Sequence, residues 1–169
     1  HLREAWRKGI KKLFFIDRFF YRFVDQIIAV SNAVKKFLVN EKKLSKDRIK
    51  VIYNGVDLNK FKPFHDSNVS NCSNDSHVFT VGVIGRLEPQ KGHKYFLEAI
   101  KLLDGNYSDV RFIIVGDGSL RNDLEAQARQ LGIANRIEFL GYKKDIVSVL
   151  QEIDLLILPS LYEGLPLVV

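Results

Sequence analysis

Short apolar runs alternate with segments of helical periodicity along most of the chain. The apolar runs, which polar and turn residues bound, predict buried strands at 26–30, 50–53, 78–85, 110–115, 137–140 and 155–158. Between them, amphipathic patterns predict helices at 32–40, 93–103, 119–131 and 145–151. Strands that are apolar throughout are typical of parallel sheets covered on both faces. The pattern therefore predicts an α/β protein in which right-handed crossovers connect parallel strands.

Polar residues mark where several of these elements begin and end. Ser31 and Ser119 are each placed to cap the helix that follows them. Asn54 and Gly55 predict a turn after the second strand, and His93 is interpreted as the first residue of a helix. One face of that helix is predicted to consist of Tyr95, Phe96, Ala99, Ile100 and Leu103.

The composition changes sharply between the second and third predicted strands. Residues 64–77 are rich in Ser, Asn and Asp and contain little that a core could bury. Such a segment is typical of a linker. The chain is therefore expected to have an organisation in two parts.

The positive charge is concentrated in the first fifty residues, which hold 14 Lys and Arg against 5 Asp and Glu. The remaining residues hold 12 against 15, and the net charge is +6. Aromatic and basic residues interleave with near-helical spacing before residue 25. The favoured interpretation is a helix packed on its own domain with a solvated basic face; an amphipathic helix on an anionic membrane is the alternative. Nucleic acid binding is disfavoured, because no recognisable motif accompanies the charge.

The overall composition, with 46% hydrophobic and 27% charged residues, is that of a globular protein. The single cysteine, Cys72, excludes an intramolecular disulfide and any multi-cysteine metal site. No apolar stretch approaches the roughly 18 to 20 residues that a membrane-spanning helix needs. Because the chain contains no methionine and ends within an apolar run at Val169, we expect it to be a fragment.

The loops that follow the predicted strands are the places where chemistry is expected, since open parallel sheets bind ligands at the carboxyl ends of their strands. In the loop Gly85–Gly92, Arg86 directly follows a strand and Lys91 directly precedes a helix. A guanidinium fork, an ammonium group and a helix N-terminus together suit a diphosphate. The alternative is a solvated loop that carries two unrelated cations.

Three further loops carry weaker signals. The segment Gly116–Ser119 lacks the full glycine pattern of a dinucleotide fold, which disfavours a nicotinamide cofactor, and Asp117 is interpreted as structural. Backbone groups of Leu140–Tyr142 could meet a flat base. Glu163, within Ser160–Pro166, suits the recognition of sugar hydroxyls, or equally a favourable charge at a helix N-terminus.

Six motifs in register carry a resemblance to a known family. They are Ala29-Val30-Ser31, Ile52-Tyr53-Asn54-Gly55-Val56-Asp57, Val83-Ile84-Gly85-Arg86-Leu87 with Lys91-Gly92, Val115-Gly116-Asp117-Gly118, Phe139-Leu140-Gly141-Tyr142, and Pro159-Ser160-Leu161-Tyr162-Glu163-Gly164-Leu165-Pro166. In this order they resemble the group 1 nucleotide-sugar glycosyltransferases, relatives of bacterial glycogen synthase and sucrose-phosphate synthase. The resemblance covers nearly the whole chain except the polar linker.

The resemblance implies a GT-B fold, in which two Rossmann-like domains face each other across a cleft. Residues 1–62 would be the C-terminal part of the acceptor-side domain and 63–77 the linker. Residues 78–169 would be the first part of the donor domain, so that the fold is incomplete at both ends.

The implied activity is transfer of a sugar from a nucleotide diphosphate sugar to a glycan or lipid-linked acceptor, usually with retention of the anomeric configuration. The nucleotide sugar is the donor substrate, and neither a cofactor nor a metal is implied. The single cysteine fits a reducing compartment, so a place in the cytoplasm is expected. Peripheral contact with the inner face of the membrane is a hypothesis that rests on the basic aromatic segment alone. The implied role is polysaccharide or glycolipid biosynthesis.

The motif match implies roles for individual residues. Arg86 and Lys91 would hold the diphosphate and stabilise it as the leaving group. Glu163 matches the first acid of the family's Glu-x7-Glu motif and would contact the donor sugar, with backbone amides of Gly164 and Leu165 beside it.

The remaining implied contacts come from residues in the loops that follow the predicted strands. Leu140, Gly141 and Tyr142 would border the base, while Gly85 and Gly116 would line the donor. The second acid of Glu-x7-Glu would fall two residues beyond the last one and is absent. Two alternatives stay open: a nucleotide-sugar epimerase of the same fold, and a non-catalytic relative that only binds nucleotide sugar.

Overall fold

The structure, a computed structural model, describes residues 21–61, 78–103, 107 and 109–168. The polar linker and most of the basic aromatic segment lie outside these residues. The described chain forms two compact units. One consists of residues 21–56 with Gly164–Leu167, and the other of the described part of Asp57–Glu163 with Val168. The predicted domain boundaries at 62 and 78 stay a prediction.

The first unit is built on a pair of parallel strands joined by a helix. Its elements are β1 (Ile27–Ala29), α1 (Asn32–Asn40), a 3-10 turn (Lys46–Arg48) and β2 (Ile49–Val51). The backbone N–H of Val34 donates to the Ser31 hydroxyl at 3.2 Å, which confirms the predicted cap of α1. Ala29 and Ile49 are buried where the helix crosses the two strands.

The second unit is a four-stranded parallel sheet with helices between its strands. Its elements are β3 (Thr80–Ile84), a 3-10 turn (Pro89–Lys91), α2 (His93–Leu102), β4 (Arg111–Val115), α3 (Arg121–Gln130), a 3-10 turn (Ala134–Arg136), β5 (Ile137–Gly141), α4 (Ile146–Gln151) and β6 (Leu155–Leu156). The strand order is β5-β4-β3-β6, with every pair parallel. All four carboxyl ends therefore lie at one edge of the sheet.

Both faces of this sheet are covered, as its continuously apolar strands predict. Phe112 and Ile114 of β4 point into the larger core, where α2 and α3 pack with Phe96, Leu97 and Leu124. The alternate residues of β4 point to the opposite face, where a smaller cluster forms around Val149 of α4. Because successive side chains of a strand point to opposite faces, one apolar strand supplies both cores.

One local prediction was wrong. Ser119 does not cap α3, because its hydroxyl donates to Glu88 at 3.0 Å, and the helix begins two residues later without a side-chain cap. The predicted shared face of α2 is confirmed, because Tyr95, Phe96, Ala99, Ile100 and Leu103 all line one open apolar groove of about 500 Å³. Leu97 is also fully buried, whereas Tyr95 is 42% exposed.

Candidate functional site

The strand order identifies where a ligand would bind in the second unit. The chain runs from β3 to β4 and β5 on one side and places β6 on the other side of β3. The order therefore reverses between β3 and β6. In open α/β sheets, the loops that leave the strands at such a reversal diverge and form a crevice. Here these are the loop after β3, which contains Arg86 and Lys91, and the loop after β6, which contains Glu163.

Backbone hydrogen bonds join the loops at this edge to their neighbours. Leu87 N–H donates to the Asp117 carbonyl at 2.9 Å, which ties the loop after β3 to the loop after β4. Leu161 N–H donates to the Gln90 carbonyl, also at 2.9 Å, and ties in the loop after β6. The Gln90 side-chain amide adds a bond to the Tyr162 carbonyl at 2.9 Å. The loops after β3, β4 and β6 are thus bonded to one another, and Gly116 N–H also bonds the carbonyl of Gly141, the last residue of β5, at 2.8 Å.

Glycine is required at two points in these loops. Gly92 has a φ of 68°, and a Cβ there would overlap the Pro159 carbonyl oxygen. Gly116 has a φ of 137°, and a Cβ there would overlap the Gly85 carbonyl oxygen. Each glycine therefore permits both a left-handed backbone and the close approach of a neighbouring loop.

The loops after β3 and β6 bring Lys91 and Glu163 together. Lys91 Nζ lies 2.6 Å from Glu163 Oε1, and both side chains are about one-fifth exposed, at 21% and 22%. The Ser160 hydroxyl donates to the same carboxylate oxygen at 2.8 Å. The stem of Lys91 runs along Gly85, where a Cβ would lie 3.5 Å from its Cδ. The geometry thus places the predicted diphosphate lysine and the predicted sugar-binding acid at one spot.

The charge state of Glu163 follows from its partners. Burial alone would raise its pKa, but hydrogen bonds from Lys91 and Ser160, with the charge of Lys91, lower the pKa below the usual glutamate value. The carboxylate is therefore ionised near neutral pH. As an anion it can only accept hydrogen bonds, which suits contact with hydroxyl donors.

Arg86 leaves the carboxyl end of β3 with an exposed side chain. Its carbonyl accepts from Glu88 N–H at 2.8 Å and from His93 Nε2 at 3.0 Å. The next residue, Leu87, is fully buried and anchors the loop in the larger core. The backbone beneath the guanidinium is thus held, while the guanidinium itself faces outward.

The loop predicted to border the base follows β5. Gly141 has a φ of 68°, and the next residue, Tyr142, is 78% exposed. The Arg121 guanidinium donates to the Phe139 carbonyl at 3.1 Å and lies over the Phe139 ring, 5.3 Å from its centroid. A Cβ on Gly141 would lie 3.7 Å from Arg121 Nη1. Arg121 therefore supports the backbone just before Leu140, a role that no sequence spacing indicated.

Gly164 and Leu165 follow Glu163 in the chain but pack in the first unit. The Gly164 carbonyl accepts from the Ser31 hydroxyl at 2.9 Å, and the Leu165 carbonyl accepts from the Asn54 amide at 3.4 Å. Their carbonyls thus have partners there, and their predicted role beside the donor sugar stays a prediction.

Asp117 serves the loop itself. Its carboxylate accepts from the adjacent Gly118 N–H at 2.8 Å, and its carbonyl accepts from Leu87. Nearby, both the backbone and the hydroxyl of Ser119 donate to Glu88. These contacts agree with the structural interpretation of Asp117.

Within the described residues, no three His, Cys, Asp or Glu side chains group closely enough to hold a metal ion. In the same ranges, no helix has the length and apolar character to cross a membrane.

Two known protein families match the chain, one over each of its two parts. The model for glycosyl transferases group 1 matches residues 71–169. The model for glycosyltransferase family 4 matches residues 1–60.

The chain is also similar to characterised proteins. An Escherichia coli UDP-Gal:α-D-GlcNAc-diphosphoundecaprenol α-1,3-galactosyltransferase is 36% identical over 96% of this chain and 44% of its own length. A Campylobacter jejuni α-1,4-N-acetyl-D-galactosaminyltransferase that acts on a diNAcBac-PP-undecaprenol saccharide is 33% identical over 99% of this chain and 43% of its own. The crystal structure of Anabaena HepE with UDP and glucose aligns with a TM-score of 0.70 at 30% identity, over 85% of this chain and 40% of that one. The chain thus spans less than half the length of these relatives.

Proposed function

The chain belongs to the group 1 glycosyl transferase family, and on this basis we propose that the whole protein transfers a sugar from a nucleotide diphosphate sugar to an acceptor. The fold class predicted from the sequence, an α/β protein of GT-B type with parallel sheets, is confirmed. The observation that carries the proposal is the meeting of Lys91 and Glu163 at the reversal point of the sheet.

Arg86 and Lys91 are proposed to hold the diphosphate of the donor. Breaking the glycosidic bond leaves negative charge on this group. Fixed cations stabilise that charge more strongly in the transition state than in the bound donor, which is what lowers the barrier. The N-terminus of α2, whose N-cap position is Gly92, adds a partial positive charge next to Lys91.

Glu163 is proposed to do two things at this site. Its ionised carboxylate accepts hydrogen bonds from hydroxyls of the donor sugar, and it orients the Lys91 ammonium group before the donor arrives. An ammonium group has three donors, so Lys91 can keep its bond to Glu163 while it binds a phosphate oxygen. The 2.6 Å contact thus couples the sugar and the diphosphate ends of one ligand.

The donor is proposed to be a uridine diphosphate sugar. UDP appears in the name of the Escherichia coli relative and in the Anabaena HepE complex. Leu140, Gly141 and Tyr142 are proposed to border the base, and the glycines at 85 and 116 to line the donor. Backbone amides of the two residues that follow Glu163 are proposed to lie beside the sugar.

The acceptor is proposed to be a saccharide on a lipid diphosphate carrier. The names of the Escherichia coli and Campylobacter jejuni relatives both specify such a carrier. The basic aromatic segment before residue 25 is proposed to bring the protein to the anionic inner face of the membrane. Transfer is proposed to proceed with retention, as the resemblance implies. It is proposed to need no metal, because two protein cations are available for the leaving group.

The test uses the full-length protein with UDP-glucose, UDP-galactose and their N-acetylated counterparts, and with an undecaprenyl-diphosphate saccharide as acceptor. We expect one donor to yield a lengthened saccharide with the anomeric configuration of the donor, and EDTA to leave the rate unchanged. Free isomerised nucleotide sugar would instead identify an epimerase. Binding of a donor without turnover on any acceptor would identify a non-catalytic relative.

A further inference from the structure

His93 is the one buried titratable side chain among the described residues that the proposed reaction does not use. It is 1% exposed, so its imidazole cannot touch a substrate. The Arg86 carbonyl, 3.0 Å from His93 Nε2, can only accept a hydrogen bond, so Nε2 must carry the proton. Nδ1 has no hydrogen-bond partner among the described residues. The ring is therefore held by a single polar contact, and that contact is to the loop after β3.

This contact spans the loop from one end to the other. Arg86 is the second residue after β3, and His93 is the first residue of α2. The hydrogen bond joins the two ends of the segment 86–93. Both proposed diphosphate ligands, Arg86 and Lys91, lie within this segment. The Arg86 carbonyl also accepts from Glu88 N–H, so two donors fix the peptide that follows the guanidinium-bearing residue.

We propose that His93 is a positioning residue, whose Nε2–H bond to the Arg86 carbonyl braces the loop Gly85–Gly92 in the geometry that receives the diphosphate. The inference rests on the proposed function for the identity of the ligand. A loop that is already ordered loses less conformational entropy when the ligand binds, and it therefore binds the ligand more tightly. Removing the imidazole also leaves the Arg86 carbonyl with one hydrogen-bond donor fewer.

The experiment compares three variants of the full-length protein, with UDP as the probe. His93→Gln keeps an amide N–H able to reach the carbonyl, whereas His93→Leu keeps the volume and removes the donor. Ile100→Val, on the buried face of the same helix, is the matched control for packing. UDP dissociation constants and backbone amide exchange of residues 85–92 are measured for each.

We expect His93→Leu to raise the UDP dissociation constant about tenfold and to speed exchange in the loop, since the Arg86 carbonyl loses one of its two donors. His93→Gln should restore both quantities to near the wild-type values, and Ile100→Val should change neither. The proposal is overturned if His93→Leu matches Ile100→Val, or if His93→Gln is as impaired as His93→Leu. Should His93→Leu not fold, His93→Asn, whose amide is too short to reach, replaces it.

The two readouts separate this inference from the proposed function. If the wild-type protein binds no UDP, the proposed donor is wrong, but amide exchange without ligand still decides whether the imidazole braces the loop. If UDP binds and exchange of residues 85–92 is the same in all variants, the function stands and the brace is rejected.

Discussion

Two ion pairs between a cationic side chain and a glutamate lie at opposite edges of the same sheet, and they join different parts of the structure. At the amino-terminal edge, Arg111 makes a two-pronged contact with Glu138, at 2.8 and 2.9 Å. At the carboxyl edge, Lys91 contacts Glu163 at 2.6 Å. The first pair joins two neighbouring strands. The second joins two loops that diverge from the reversal of strand order.

The environments of the two pairs differ as well. The Arg111 and Glu138 side chains are 34% and 51% exposed, and Glu152 lies 3.5 Å from the same arginine. Lys91 and Glu163 are less exposed, and a hydroxyl from Ser160 completes the carboxylate's contacts. A pair in strand register is typical of a structural contact, whereas a pair between loops at a ligand crevice is available to a substrate. The two pairs thus differ in position, and only the second lies where we propose that the donor binds.

The largest effect is expected from removing the cations at the carboxyl edge. Lys91→Ala or Arg86→Ala in the full-length protein should lower turnover about a hundredfold, because each removes a cation that we propose stabilises the departing diphosphate. Steady-state sugar transfer measures this. Near-normal transfer by either variant would remove that residue from the mechanism, and Arg111→Ala serves as the matched cation control.

Glu163→Gln should lower kcat/KM about tenfold or more, since an amide is a weaker acceptor than a carboxylate for donors on the sugar. The matched variant at the other edge, Glu138→Gln, should leave kcat/KM unchanged. Equal losses of activity in the two variants would show that the two edges of the sheet do not differ in function.

Gly92→Ala should destabilise the fold by about 2 to 4 kcal/mol, because the new Cβ meets the Pro159 carbonyl in a left-handed backbone. Gly132, with a φ of 72° and open space around it, is the control for backbone strain alone. Gly132→Ala should cost about 1 kcal/mol. Chemical denaturation measures both losses of stability. Similar losses in the two variants would mean that the close contact between Gly92 and the Pro159 carbonyl does not stabilise the fold.

Arg111→Ala should lower the free energy of unfolding by only about 1 kcal/mol, because solvent screens an exposed pair even when it is two-pronged. The loss should shrink further in high salt. Urea unfolding at two salt concentrations checks this expectation. A loss that does not depend on salt would show that the arginine stem, and not its charge, stabilises the strands.

The smallest effect concerns acid stability. Burial would raise the pKa of Glu163, but hydrogen bonds from Lys91 and Ser160 together with the charge of Lys91 lower it, and hydrogen bonds from Arg111 lower the pKa of Glu138. Each contribution is therefore complete above the ordinary glutamate value of 4.5 and is lost as the pH falls through the lower folded-state pKa. Glutamine at either position should flatten the stability profile as the pH falls below 4.5. A profile identical to that of the wild type would show that neither pair is coupled to protonation.

Much of the fold was predictable because its signals are local. The cap at Ser31 and the start of α2 at His93 follow from residue type and spacing, and the structure has both. Ser119 was misassigned because its hydroxyl is recruited by Glu88, which lies 31 positions away. The residues that share a face of α2 were predicted, but the sequence does not say which of them the sheet covers: Ile100 is buried, whereas Tyr95 is 42% exposed.

For the site, the sequence alone determined the composition of the loops: a glycine-bounded segment with Arg86 and Lys91 after one strand, and an acid near the end of another loop. Only the tertiary structure decided that Lys91 meets Glu163, which is 72 positions away, and that His93 reaches back to the Arg86 carbonyl. The physical reason is that residue spacing specifies periodicity and turns, whereas strand order specifies which loops become neighbours. That order is set by the packing of both faces of the sheet, which no short segment encodes.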